Sequence, residues 1–105
     1  MGNMVVFVTA PDAGEAAAMA RALVEERLAA CVNIVGGVRS IYSWEGKVED
    51  GSEALMVIKT REALFEALAK RVAELHSYEV PEVIALPITK GAEKYLRWME
   101  EVTGP

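Results

Sequence analysis

His76 is the only histidine in the chain, and Tyr78, Glu79 and Glu82 stand within six positions of it. Imidazole nitrogen and carboxylate oxygen are ligands with which proteins hold zinc, copper and related ions, three or four of them to a site. The run therefore predicts a metal contact at His76, Glu79 and Glu82, completed by another chain because one chain supplies a single imidazole. The competing reading of His76 is structural, as a helix-end residue stabilised by the negative end of the helix dipole. Lys59, Tyr78 and Glu82 form a second set, expected to flank a cleft between subunits. Cys31 lies in Ala29-Ala30-Cys31-Val32, where a buried apolar thiol is unreactive. The chain has no Ser-His-acid pattern, phosphate-cradling glycine loop or metalloprotease helix, so no enzyme is expected.

These residues need elements to hold them. Residues 4–10 are a β-branched and aromatic run that stops at Pro11, and they read as a buried strand. Asp12 then caps a helix, Glu15 makes a capping-box-like pair with it, and the alanine-rich stretch continues the helix to Ala29. Arg27 falls on the apolar arc of that helix, so it must snorkel out or find a carboxylate. Cys31 to Trp44 reads as a long strand with a bulge or bend at Gly36-Gly37. A second long strand runs from Lys47 to Lys59. Two turns compete to join them: Glu45-Gly46, which makes equal arms and is favoured, with Asp50-Gly51 as a bulge, and Asp50-Gly51 itself.

Thr60 suits the cap of a second helix, whose Leu64, Phe65, Leu68, Val72 and Leu75 share one stripe. Pro81 separates it from a strand over 83–89, and Gly91 leads to a short closing helix carrying Tyr95, Trp98, Met99 and Val102 on one side, with Trp98 in the core. The order β-α-β-β-α-β-α predicts an α+β, ferredoxin-like βαββαβ sandwich with both main helices on one sheet face.

The totals agree with one domain spanning 1–105. The chain is 52% hydrophobic and 26% charged, and no apolar run approaches the ~20 residues that span a bilayer. A net charge of −5 repels phosphate backbones and anionic lipid, so neither nucleic acid nor membrane is an expected partner. Met1-Gly2-Asn3-Met4 lacks a basic leader region and the lone cysteine fits a reducing compartment, which together predict a cytoplasmic protein.

The hairpin is too long for its own subunit. Fourteen residues from Cys31 to Trp44 reach about 46 Å as strand, whereas the expected first helix reaches only about 25 Å. Its tip, with Ile41, Tyr42, Trp44 and Val48, extends past the helices. An uncovered two-stranded ribbon is marginally stable and an apolar edge invites pairing, so self-association through those four residues is expected. Head-to-tail contacts of this kind close into rings when the rotation between neighbours allows.

Thr9-Ala10-Pro11-Asp12, the run from Glu26 to Asn33, the run from Ser40 to Val48, Lys59-Thr60, the run from His76 to Glu82 and Tyr95-Leu96-Arg97-Trp98 occur together, and in this order. In that respect the chain resembles the CutA family. The resemblance implies a ferredoxin-like subunit, a homotrimer built through extended hairpins, and tolerance to divalent metal ions, with copper or another divalent metal bound in some members and none needed for folding. The family copper set pairs a first-strand cysteine with adjacent histidines; at those positions this chain has Val8 and Leu75, leaving His76. Ser77 stands where the family usually has proline. Two other functions fit the same architecture: a small-molecule signalling trimer analogous to PII proteins, and a trimeric scaffold or anchor for another protein.

Overall fold

In the computed structural model, which describes residues 2–104, the alternation of the strands decides which way the sheet faces. Along β1 (Asn3–Ala10) the buried residues are Val6, Val8 and Ala10, and along β3 (Lys47–Arg61) they are Ala54, Met56, Ile58 and Thr60. Successive side chains of a strand point to opposite faces, so these seven share one. Against them pack Ala16, Met19, Ala20 and Leu23 of α1 (Ala13–Glu25) and Leu68 and Val72 of α2 (Phe65–Leu75). Leu23, Met56, Ile58 and Leu68 are fully buried, each stabilising the fold by about 1.5–3 kcal/mol relative to exposure. With β2 (Cys31–Trp44) and β4 (Val83–Ile88) the sheet order is β2-β3-β1-β4, antiparallel throughout. This is the expected α+β sandwich, closed by α3 (Glu93–Thr103).

The hairpin turns at Glu45-Gly46. Trp44 pairs with Lys47, and both turn residues have positive φ, 49° and 82°, the twist that a two-residue hairpin loop requires. The bulge sits at Gly36-Gly37, where the register shifts between Val35 and Val38 and Gly37 takes φ 68°. Asp50-Gly51, expected to bulge, pairs regularly with Ile41 and Ser40; Arg39 grips Asp50 through two hydrogen bonds of 2.9 and 2.7 Å.

Other expectations fail for local reasons. The first helix stops at Glu25, four residues early, because Arg27 adopts φ 63° and the N–H groups of Leu28 and Arg27 bond back to the carbonyls of Leu23 and Val24. That is a Schellman end with arginine in the usual glycine place. It takes Arg27 off the apolar arc, and its Nε donates to the Val102 carbonyl at 3.4 Å. Asp12 caps the helix by accepting from the Glu15 N–H at 2.8 Å, but the Glu15 carboxylate does not reciprocate and bonds the Ser77 N–H instead. Thr60 is not a cap: β3 runs on to Arg61, a 3-10 turn over Glu62–Leu64 precedes α2, and the buried Thr60 hydroxyl donates to the Leu28 carbonyl at 2.7 Å. In α3 only Met99 and Thr103 are buried; Trp98 is 39% exposed and rests on Tyr95 with ring centroids 5.4 Å apart, so it is not core.

The second face of the sheet is largely bare. Alternation places Val5, Phe7, Val35, Leu55, Val57, Ile84 and Leu86 there, and the register makes them neighbours: Phe7 pairs with Val57 and Ile84, Val5 with Leu86, Val35 with Leu55. Ile84 and Leu86 are 55% and 54% exposed. Cys31 shares this face, partly exposed rather than buried as expected.

Replacing Thr60 with valine preserves shape but leaves the part-buried Leu28 carbonyl without the Thr60 donor. Denaturant unfolding at matched chain concentration is expected to show a loss of about 1–2 kcal/mol.

Candidate functional site

Strand lengths create a depression beside the hairpin. β1 ends at Ala10, paired with Ala54, whereas β3 begins seven residues earlier at Lys47. Beyond Ala54 the hairpin has no strand on its inner side, and the α2–β4 loop fills the gap only in part. A groove of about 710 Å³ remains, lined by Thr9, Ser40, Ile41, Tyr42, Trp44 and Glu53 on the strand side and by Ser77, Tyr78, Glu79, Val80 and Glu82 on the loop side. Tyr78 bridges the two sides, its hydroxyl donating to Glu53 Oε2 at 2.7 Å. Burial first, and the Glu53 contact second, raise the Tyr78 phenol well above its ordinary value, so it stays a neutral donor.

His76 anchors the loop. Its side chain is wholly buried, with Nε2 2.7 Å from the Thr9 carbonyl oxygen and Nδ1 3.0 Å from the Tyr78 backbone nitrogen. A carbonyl only accepts and a backbone N–H only donates, so Nε2 carries the hydrogen and Nδ1 is bare. The imidazole is therefore the neutral Nε2–H tautomer. The Glu15 carboxylate lies 3.7 Å from Nδ1 but is bonded to the Ser77 N–H at 2.9 Å. The His76 and Tyr78 rings are in contact, centroids 4.7 Å apart.

This geometry bears on the predicted metal set of His76, Glu79 and Glu82. Both His76 nitrogens are spent within the chain, Nε2 as donor and Nδ1 as acceptor, so the one ring lone pair is already engaged. Glu79 and Glu82 are exposed at the groove, and among the described residues no group of three or more His, Cys, Asp or Glu side chains comes together to hold a metal ion. A resident metal does not fit one chain's donors. The second set also divides. Tyr78 and Glu82 line the groove, but Lys59 lies six positions along β3 from Glu53, opposite Val5 and Cys31, with its Nζ on the Asn33 side-chain oxygen. Of the four hairpin residues expected at an interface, Ile41, Tyr42 and Trp44 line the groove while Val48 stands 78% exposed at the tip. Glu53, Thr9 and Glu15 were not anticipated. The one sequence signal for Glu53 is a charge on the strand immediately before an apolar run.

The CutA1 divalent ion tolerance protein family matches residues 4–102. The chain belongs to that family. "Divalent-cation tolerance protein CutA" of Thermus thermophilus is 52% identical over 100 residues, 95% of this chain and 97% of that protein. "Protein CutA, chloroplastic" of Arabidopsis thaliana is 52% identical over 101 residues, covering 96% of this chain; this chain spans only 56% of that relative's length. The crystal structure of CutA1 from Oryza sativa superposes with a TM-score of 0.96 at 49% identity, covering 99% of this chain and 95% of that one. CutA1 membership thus confirms the fold and the family resemblance. It does not carry the cytoplasmic expectation, since the Arabidopsis relative is named chloroplastic. Among the described residues no helix is long and apolar enough to cross a membrane.

The raised Tyr78 phenol has a direct consequence for stability. The unfolded chain ionises at the ordinary tyrosine value, near pH 10, and the folded one only above it. The stabilisation is therefore complete below about pH 10 and is lost as pH rises toward the folded value. Tyr78→Phe should destabilise the protein by about 1 kcal/mol at neutral pH and flatten the alkaline fall in stability, as followed by chemical unfolding between neutral pH and pH 11.

Proposed function

We propose that this CutA1 protein acts as a non-enzymatic homotrimer in divalent-cation tolerance, with copper or another divalent ion engaged by carboxylates of more than one chain. The observation that carries the assembly is the bare sheet face. Contiguous apolar residues centred on Phe7, Val57, Ile84 and Leu86 mark an interaction surface rather than a solvated one. The hairpin supports the same reading from the other end, because Ile41 and Val48 are 63% and 78% exposed on a ribbon that its own helices do not reach. Copies that cover both surfaces leave neither a ribbon nor a sheet face in water.

For the metal, the exposed Glu79 and Glu82 are the available donors, and His76 serves as the loop's anchor. The nucleotide-binding alternative finds little support: among the described residues lining the groove there is no lysine or arginine, and Glu53, Glu79 and Glu82 oppose phosphate.

Sedimentation at low micromolar concentration is expected to give a particle three times the chain mass of 11.4 kDa, and Phe7→Glu or Val57→Glu should shift it to monomer. A stable particle of single-chain mass in the unsubstituted protein would sink the assembly. In a copper titration followed by NMR, amides of residues 79–82 should respond before the His76 ring. A first response at His76 would refute the carboxylate assignment.

A further inference from the structure

We propose that Lys59 of one copy enters the groove beside Tyr78 of the next and pairs there with Glu53, so that the groove is a charged socket completed only by a neighbouring chain. This contact rests on the assembly proposed above and names the residues through which one copy completes another.

The groove is the far end of the bare sheet face. Along β3 the residues Ala54, Met56 and Ile58 are buried in the core, and Glu53 alternates with them onto the side of Leu55, Val57 and Lys59. Thr9, which lines the groove, falls in the same way with Val5 and Phe7 on β1, whose Val6 and Val8 are core. A copy laid over Phe7, Val57 and Ile84 therefore takes Glu53 and Lys59 out of water along with the apolar residues between them.

These two charges lie at opposite ends of that face, and each is half-buried with only neutral partners in its own chain. Glu53 accepts from the Tyr78 hydroxyl at 2.7 Å. Thr9, Ser40 and Ser77 bring further neutral donors to the groove, but among the described residues lining it there is no lysine or arginine. Lys59 Nζ donates to the Asn33 side-chain oxygen and to the Val57 carbonyl oxygen at 3.4 Å. Such an arrangement suits a single chain, where water supplies the rest of the solvation. Once the face is covered, a charge with no opposite charge beside it is strongly unfavourable. The two cannot meet within one chain, because six residues of strand hold them about 20 Å apart. A neighbour supplies what each lacks, and every copy then gives one lysine and receives one. The aromatic rings of Tyr42 and Trp44 beside Glu53 suit the long apolar stem and the ammonium of a lysine. Nearby cations are committed elsewhere: Arg39 to Asp50, and Arg61 to Thr103 at the end of α3.

The same strand geometry makes the contact testable. A carbodiimide joins a lysine to a carboxylate that touches it, and a link between Lys59 and Glu53 has to run between copies. Treatment of the unsubstituted protein should give covalent multimers on a denaturing gel, with mass spectrometry locating that link. Exchange of subunits between unlabelled and nitrogen-15-labelled protein, read by native mass spectrometry, should quicken about tenfold in Lys59→Met and in Glu53→Gln. The double variant should exchange no faster than the faster single one, since neither charge is then left alone. Linkage of Lys59 to Glu79 or Glu82 only, no linkage of Lys59 between copies, or effects that multiply in the double variant would overturn the pairing. So would exchange that quickens on EDTA treatment to the rate of Glu53→Gln, which would make a divalent ion the counter-charge. A particle of single-chain mass removes the assembly itself, whereas a trimer without the Lys59–Glu53 link removes this contact alone.

Discussion

A β-hairpin longer than the sheet it belongs to imposes most of what is distinctive here. β3 pairs with β1 over eight residues, from Ala54 to Arg61, and then continues to Lys47 with only β2 beside it. The backbone of that extension is satisfied on one side alone, and its side chains have no helix above them. A two-stranded ribbon in water is marginal, so the chain must close the gap from within or from another copy. It does the first in part. The α2–β4 loop swings beside the free flank of β3, and the Tyr78–Glu53 hydrogen bond ties it there.

The loop in turn depends on His76. The buried imidazole joins the Thr9 carbonyl at the end of β1 to the Tyr78 N–H in the loop, satisfying two backbone groups that would otherwise be left unpaired at the margin of the core. An unsatisfied buried group costs about 1–3 kcal/mol, which is reason enough for a histidine at this place without any metal. Glu15 extends the same network from α1 by holding the Ser77 N–H. Thus the residue whose chemistry draws the eye in the sequence has both ring nitrogens engaged in organising the site. The carboxylates and aromatic rings around it set the groove's character, which is acceptor-rich, cation-attracting and hostile to phosphate.

The two faces of the sheet divide the work. One carries the core of the subunit, with Val6, Val8, Met56 and Ile58 against α1 and α2. The other is nearly as apolar in its centre, with Phe7 between Val57 and Ile84, yet only α3 lies near one end of it, fastened where Arg61 donates to Thr103. Strands apolar on both faces belong to sheets covered on both sides. The second cover is therefore to be sought outside the chain.

Period and turn chemistry were legible in the residues alone. The stripe of Leu68 and Val72, the turn at Glu45-Gly46, the bulge at Gly36-Gly37 and the mismatch between hairpin and helix all depend on neighbours close in sequence, and local sterics decide them. What sequence could not settle was anything requiring two distant segments to meet. Thr60 looks like a helix cap until the Leu28 carbonyl arrives to claim its hydroxyl. Lys59 and Tyr78 look like partners until the register sends Lys59 to Asn33 and Tyr78 to Glu53. His76 looks like a ligand until both its nitrogens are found engaged. A residue's type limits the bonds it is able to form, whereas which bond it forms depends on what the fold brings within about 3 Å, and only the tertiary structure carries that information.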